Sequence, residues 1–165
     1  MIEKPKPANK AALSTSELKN YAMGLLVGRE YGTHELRLKL QARADSATVE
    51  EVLSWLQSQR LQSDDRYAAM LLRSKANRGQ GPLRIRQEMQ QKRLDAQVLE
   101  SAFAEFEGDW FELALAAYEK KFKSPLGTDP KERARRQRFL AYRGYTSDQI
   151  NYALEQGHRE CTNLP

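Results

Sequence analysis

The sequence predicts an all-α protein made of three tandem three-helix repeats, arranged as an elongated, curved array. The first observation is a pattern that recurs every 46 residues, at Tyr21-Ala22, Tyr67-Ala68 and Leu113-Ala114. The second is that the apolar residues of each repeat follow the i, i+3, i+4 spacing of helices, with no sustained alternation that would indicate a strand. A fixed period of this length is typical of stacked repeat proteins, which build extended binding surfaces more often than catalytic pockets.

The first repeat covers residues 14–62. It begins with Ser14-Thr15-Ser16-Glu17, whose spacing is that of a capping box at a helix start. Because such short helices are not stable alone, each must bury its apolar face against its neighbours. The apolar positions of the three predicted helices are, in order, Leu25 and Leu26, Leu36 and Leu40, and Val49, Val52 and Leu53.

The second repeat covers residues 63–108. We interpret Asp64-Asp65 as the cap of a helix that begins near Arg66, where carboxylates complement the helix dipole; a pair of functional acids is the alternative. Gly79-Gln80-Gly81 is interpreted as a turn, because a nucleotide-binding fingerprint needs a preceding strand and a third glycine. Gly81-Pro82 then starts the next helix. The apolar positions are Leu71 and Leu72, Ile85 and Met89, and Leu99, Ala102 and Phe103.

The third repeat covers residues 109–157. Asp129-Pro130-Lys131-Glu132 places a capping acceptor before a first-turn proline, and Thr146-Ser147-Asp148-Gln149 repeats the capping-box spacing. Gly144 stands where a left-handed residue would end a helix. Trp55 and Trp110 fall at or near the junctions between repeats and are expected to be core or partly buried aromatics. Residues 1–13 are predicted to form a disordered N-terminal tail, and residues 158–165 a C-terminal tail.

The residues that catalysis would need are scarce. The two histidines, His34 and His158, lie in different parts of the chain with no Cys or carboxylate cluster at ligand spacing, and no phosphate-binding Gly-x4-Gly-Lys motif occurs. We therefore expect no catalytic, cofactor-binding or metal residues, and no enzyme. Cys161 is the only cysteine and no apolar run could span a membrane, so a cytoplasmic protein without membrane contact is expected.

Charge is distributed in blocks. The chain has a net charge of +5. Residues 72–93 and 120–143 are strongly basic, whereas residues 94–119 are acidic and contain no Lys or Arg. Exposed helix faces are often charged, but this segregation also favours a surface that attracts phosphate or an acidic protein. Tyr142 and Tyr145 flank the segment Arg143-Gly144, where aromatic rings could either stack on bases or belong to the core.

The central segment supports a more specific interpretation. It reads Leu61-Gln62-Ser63-Asp64-Asp65-Arg66-Tyr67-Ala68, then a basic helix, then Gly79-Gln80-Gly81-Pro82-Leu83-Arg84-Ile85-Arg86-Gln87-Glu88. This closely resembles the core of the RecX family of recombination regulators. Glu35-Leu36-Arg37 and Gln137-Arg138-Phe139-Leu140 resemble the family's first and last repeats. The resemblance implies an all-helical tandem-repeat protein without catalytic residues.

The resemblance also implies a partner. RecX proteins act on RecA, the ATP-dependent recombinase that coats single-stranded DNA. They bind in the groove of the RecA filament and inhibit filament growth, ATPase, strand exchange and coprotease activities, in recombination and the SOS response. We accordingly expect a monomer that binds the RecA nucleoprotein filament and, weakly, single- and double-stranded DNA. The alternatives are a sequence-nonspecific helical DNA-binding protein and a helical scaffold unconnected with nucleic acid.

Charge alone selects the expected contact residues. They are the basic side chains before and after the Gly79-Gln80-Gly81 turn, together with those of the corresponding helices in the third repeat. If the array follows the filament groove, these side chains must face the filament or its DNA. The expected RecA- and DNA-binding residues are Arg73, Lys75, Arg78, Arg84, Arg86, Arg135, Arg136, Arg138 and Arg143.

Overall fold

The structure is a computed structural model that describes residues 12–159, with nine helices and no strand in that range. This confirms the all-α prediction. The chain divides into two compact units, one up to Tyr67 and the other from Ala68. The predicted repeat boundaries and the elongated, curved arrangement stay predictions. Residues 1–11 and 160–165, which include most of both predicted tails and Cys161, lie outside the described residues.

The first unit contains three helices packed on one another, α1 (Thr15–Gly28), α2 (Thr33–Gln41) and α3 (Ser46–Ser58). The predicted capping box is present at α1, where the Ser14 side chain and the Glu17 side chain each accept from the other residue's backbone amide. Before the helix, the Leu13 amide donates to the Arg43 carbonyl at 2.8 Å, so this residue of the predicted tail is fixed against the unit. The buried core is Leu18, Ala22, Tyr31, Leu36, Leu40, Val49, Val52, Leu53 and Leu56.

The N-terminus of α2 is capped by a residue that is distant in the sequence. Its N-cap residue, Gly32, has no side chain to accept a hydrogen bond. Instead, the Thr33 amide donates to Oδ1 of Asp64 at 2.7 Å, and Gln62, 2% exposed, donates to the same oxygen at 2.9 Å. At the following helix the Ser63 hydroxyl accepts from the Arg66 amide at 3.3 Å. The prediction that Asp64 caps its own helix is therefore corrected, although Asp64 lies in the first turn of that helix as expected.

The helix α4 (Asp64–Asn77) continues from the first unit into the second. The second unit also contains α5 (Pro82–Gln91), α6 (Ala96–Ala104), α7 (Trp110–Lys121), α8 (Pro130–Tyr142) and α9 (Ser147–Arg159). The helices α7, α8 and α9 share a core of buried residues, namely Ala114, Leu115, Ala117, Tyr118, Leu126, Leu140, Tyr145, Ile150, Ala153 and Leu154. The capping box predicted at Thr146 and Gln149 is present at the start of α9.

Three residues in the left-handed region follow helices of the second unit, and Gly79, with φ +75°, is the one after α4. Gly144, with φ +89°, follows α8 and confirms the sequence prediction. Arg93, with φ +57°, follows α5 at a position that usually favours glycine. The indole of Trp110 is half-buried and packs on Phe103 and Phe106, with ring centroids 5.9 and 4.8 Å away. These aromatic contacts join the end of the second repeat to the third.

Candidate interaction surface

Within the second unit, the end of α8 lies directly against the start of α5. The Gly81 amide donates to the Arg143 carbonyl at 2.7 Å, and the Leu83 amide donates to the Gly144 carbonyl at 3.0 Å. The first amides of a helix and the last carbonyls of a helix have no partner inside their own helix. At this junction the unpaired donors of α5 find acceptors just beyond α8, so each helix end satisfies the other.

Only glycine fits at the centre of this contact. A Cβ added to Gly81 would lie 2.4 Å from backbone atoms of Gly144, and a Cβ added to Gly144 would lie 2.4 Å from the Cβ of Arg84. Real Cβ atoms do not approach other atoms so closely. The Gly-x-Gly-Pro turn of the second repeat is therefore a packing requirement of the third repeat.

Two of the nine predicted contact residues hold this junction together. Arg84 donates from Nη1 to the Tyr142 carbonyl at 3.2 Å. Arg143 donates from Nη1 to the carbonyls of Arg78 and Gly79, each at 3.2 Å. Hydrogen bonds from a guanidinium to backbone carbonyls fix its position. Both arginines therefore stabilise the junction between α5 and α8 in addition to contributing positive charge.

A groove of about 1000 Å³ opens next to the junction, and we call it the Tyr142 groove. Two exposed apolar side chains line it, Tyr142 (77% exposed) and Leu83 (55% exposed). The guanidinium of Arg84 lies 5.1 Å from the centre of the Tyr142 ring, a cation–π distance. The other lining residues are Lys75, Gln80, Arg84, Gln87, Glu88, Gln91, Lys92, Ala141 and Gly144.

The polar groups of the groove are mostly basic or amide side chains. Its single carboxylate, Glu88, is paired with Lys75 at 2.7 Å. Lys92 and Arg84 have no carboxylate partner among the described residues. Oε1 of Gln80 is buried without a hydrogen-bond partner, so it is an acceptor that a donor group of a bound partner could satisfy. The groove therefore combines positive charge, an open aromatic ring and amide groups.

The two tyrosines whose role the sequence left open have different environments. Tyr142 is exposed in the groove, whereas Tyr145 is 2% exposed and belongs to the core of the third repeat. The Tyr145 hydroxyl donates to the Leu113 carbonyl at 3.1 Å. Burial raises the pKa of Tyr145 to about 12, against the opposing influence of Arg143. Only Tyr142 is placed to stack on a base or on a partner side chain.

Arg136 is the predicted contact residue that the structure buries. It is 2% exposed, and its Nη1 donates to the Tyr118 hydroxyl at 2.6 Å and to the Ser124 carbonyl at 2.9 Å. Its Nε pairs with Glu132 at 2.7 Å. Hydrogen bonds from Arg135, and after them from Arg136, lower the pKa of the Glu132 carboxyl to about 2. This guanidinium organises the loop between α7 and α8 and is not available to a partner.

The remaining predicted residues fall into two groups. Arg86 and Arg135 are ion-paired, with Glu100 and Glu132 respectively. Arg73, Arg78 and Arg138 are exposed and have no ion pair among residues 12–159. Leu83, Gln80 and Lys92 were not among the residues predicted for this surface. Their proximity to Tyr142 depends on the packing of α5 against α8, which no local pattern indicates.

The described part of the chain contains neither a metal-binding cluster nor a membrane-spanning helix. No group of three or more His, Cys, Asp or Glu side chains is placed to hold a metal ion between residues 12 and 159. Within the same range, no helix combines the length and apolar character needed to cross a membrane.

Comparison with known proteins gives consistent matches. Family models described as RecX, second three-helix domain, and RecX, third three-helix domain, match residues 63–102 and 107–154. A regulatory protein RecX of Vibrio parahaemolyticus is 44% identical over 141 residues, covering 85% of this chain and 91% of the relative. A regulatory protein RecX of Acinetobacter baylyi is 36% identical over 161 residues, covering 97% of this chain and 100% of the relative.

Solved structures agree in fold. A crystal structure of regulatory protein RecX superimposes with a TM-score of 0.73 at 22% identity, covering 86% of this chain and 73% of the other. The crystal structure of RecX from Lactobacillus salivarius gives a TM-score of 0.74 at 20% identity, with 86% and 95% covered.

Proposed function

The chain belongs to the RecX family of regulatory proteins, and we propose that it binds in the groove of the RecA–DNA filament and inhibits filament growth, ATPase, strand exchange and coprotease activities. The family is regulatory and not enzymatic. In this proposal the protein acts as a cytoplasmic monomer in recombination and the SOS response, with the RecA filament as its main partner and weak contacts to single- and double-stranded DNA.

The observation that carries the proposal is that the basic side chains have two kinds of environment. Arg73, Arg78 and Arg138 are exposed and unpaired within the described residues, while Arg84, Arg136 and Arg143 are bound to backbone or core groups. Exposed cations lose side-chain freedom when they bind, but they contribute attraction to phosphates or carboxylates. We propose that the exposed set contacts the filament and that the bound set positions it.

Several weak contacts suit a filament target. A chain of helical repeats can touch several subunits of a helical assembly at once. Contacts joined in one chain raise each other's effective concentration, so overall binding can be tight although each contact is weak. This supports action at ratios well below one chain per RecA monomer.

The direct test is the ATPase activity of RecA on single-stranded DNA. We expect strong inhibition when this protein is present at a small fraction of the RecA concentration. An unchanged ATPase rate at equimolar protein would contradict the proposal.

A charge-reversal pair tests which residues make the contact. Arg73→Glu with Arg138→Glu should weaken inhibition about tenfold or more, because like charges would then face each other across the interface. The matched control is Lys39→Glu with Arg60→Glu, the same charge change on exposed residues of the first repeat. Equal losses in the two double variants would show that net charge, and not this surface, determines inhibition.

The exposed ring of Tyr142 supports a second candidate function. In this alternative, the chain is a sequence-nonspecific DNA-binding protein that acts on nucleic acid directly. Binding through phosphates weakens steeply with salt because counterions are released. Inhibition of RecA that persists at a salt concentration abolishing binding to bare DNA would favour the filament-binding proposal. Inhibition that disappears in parallel with DNA binding would favour the second candidate.

A further inference from the structure

A second concave site lies between the end of α4 and the facing sides of α7 and α8. It is a cavity of about 330 Å³, within the size range of ligand pockets, and we call it the α7 cavity. Several of the residues that line it are small. A Cβ added to Gly79 would be 3.4 Å from the Cβ of Ala117, and Ala116, one residue earlier, is exposed at the cavity.

The floor of the α7 cavity is apolar. It is formed by Leu113, Ala116, Ala117 and Phe139. The Phe139 ring packs edge-on against Phe122, with centroids 5.2 Å apart, which fixes its position. Arg143 lies over the Phe139 ring at 4.8 Å and covers part of it. The floor can therefore accept an aliphatic group, but it does not offer an open aromatic face.

Cations surround this floor. Arg78, Lys120 and Lys121 line the cavity with Arg143, and no carboxylate lines it. Among the described residues Arg78, Lys120 and Lys121 take part in no ion pair, unlike Lys75, Arg86 and Arg135. The adjacent acid in the sequence, Glu119, is half-buried and not part of the lining. Unbalanced positive charge around an apolar floor selects a ligand with the complementary pattern.

We propose that the α7 cavity is a docking site for an acidic peptide segment that carries an aliphatic side chain between carboxylates. The aliphatic group would fill the hollow above Ala116 and Ala117, while the carboxylates would meet Lys120, Lys121 and Arg78. A nucleic acid fits less well, because a phosphodiester has no aliphatic group for the floor and a base needs an uncovered ring on which to stack. The site shares no lining residue with the Tyr142 groove, shares only Arg78 with the exposed residues proposed to contact the filament, and does not require the proposed action on RecA.

Peptide binding to the full chain tests this directly. The probe is a fluorescein-labelled peptide with a central leucine flanked on both sides by aspartates and glutamates, followed by fluorescence anisotropy. Lys120→Gln with Lys121→Gln should weaken binding about tenfold. The matched control, Lys131→Gln with Arg133→Gln, removes two exposed cations of α8 that lie outside the cavity and should change binding less than about twofold.

The proposal also requires that peptide binding depend on the shape of the α7 cavity as well as on its charge. Ala116→Leu fills the hollow from an exposed position without altering any charge, so it should weaken binding about fivefold or more while circular dichroism and the melting temperature stay close to wild type. Replacing the central leucine of the probe by serine should weaken binding to a similar degree.

Three results would overturn the proposal. The first is that Lys120→Gln with Lys121→Gln and Lys131→Gln with Arg133→Gln weaken peptide binding equally. The second is that neither Ala116→Leu nor replacement of the central leucine of the probe by serine changes binding. The third is an oligothymidylate of equal charge that binds more tightly and loses affinity with Lys120→Gln and Lys121→Gln, which would assign the cavity to nucleic acid. Because RecA is absent from every arm, failure here leaves the proposed function untouched, and inhibition data leave this site untouched.

Discussion

Arg136 lies in the strongly basic helix α8, yet its guanidinium donates to the Tyr118 hydroxyl and to the carbonyls of Ser124 and Pro125. Its neighbour Arg135 is exposed and also pairs with Glu132. Adjacent residues of one type thus have different functions, because a helix turns about 100° per residue and points them in different directions.

Replacing Arg136 should destabilise the protein strongly. Arg136→Met removes every donor while keeping much of the side-chain volume, so it leaves the Ser124 and Pro125 carbonyls and the Tyr118 hydroxyl without their partner. We expect the free energy of unfolding to fall by about 3 kcal/mol in urea denaturation followed by circular dichroism. Arg135→Met, the control, removes an exposed ion pair and should lower the free energy of unfolding much less. Similar losses would indicate that the enclosed hydrogen bonds contribute little.

The carboxyl of Glu132 makes stability depend on acid pH. Its pKa in the folded protein is about 2, below the ordinary value of 4.5, because Arg135 and Arg136 donate hydrogen bonds to the charged form. A group whose pKa is lowered on folding stabilises the protein above its unfolded pKa, and this contribution disappears as the pH falls through the folded pKa. The urea midpoint difference between wild type and Glu132→Gln should therefore be constant above pH 4.5 and narrow towards pH 2. A constant difference over that range would contradict this prediction.

Two glycines, Gly24 inside α1 and Gly144 just after α8, should respond oppositely to substitution by alanine. Gly24 is an exposed interior residue of α1 with no neighbouring atom within 4 Å of an added Cβ, so Gly24→Ala should raise the free energy of unfolding by about 1 kcal/mol. Gly144 has φ +89° and its added Cβ would lie 2.4 Å from the Cβ of Arg84, so Gly144→Ala should lower it by about 2 kcal/mol or more. Thermal melts of the two variants compare these effects, and stabilisation by Gly144→Ala would show that α5 and α8 can move apart without loss.

The sequence was most informative where structure depends on residues a few positions apart. The capping residues Ser14 and Thr146, the left-handed Gly144 and the helical spacing of the core are all confirmed, because each involves contacts within one or two turns. The cap of α2 by Asp64 joins residues 31 apart and was missed. The same limit applies to the site, because charge identified Arg84 and Arg143 but could not show that backbone carbonyls hold them.

For the whole molecule, the net charge of +5 predicts a salt-dependent affinity for DNA. We expect weak binding to duplex DNA without sequence preference, since each neutralised phosphate releases condensed counterions. Arg73→Gln with Arg138→Gln should reduce the slope of log affinity against log salt by about 1.8 if both residues contact phosphates, at about 0.9 per contact. Arg86→Gln, at a residue paired with Glu100, should change the slope much less. A slope that is the same for all three proteins would mean that these arginines do not contact DNA.

The junction between α5 and α8 also imposes an order of events during synthesis. Chains leave the ribosome from the N-terminus, and domains generally fold as they emerge. The amides of Gly81 and Leu83 cannot find the carbonyls of Arg143 and Gly144 until about sixty more residues have been translated. Until Gly144 has been translated and α8 has folded, the first amides of α5 therefore stay exposed to water. A ribosome stalled before the codon for Gly144 would hold a nascent chain whose α5 is open at its first turn, and emergence of α8 with Arg143 and Gly144 would close it.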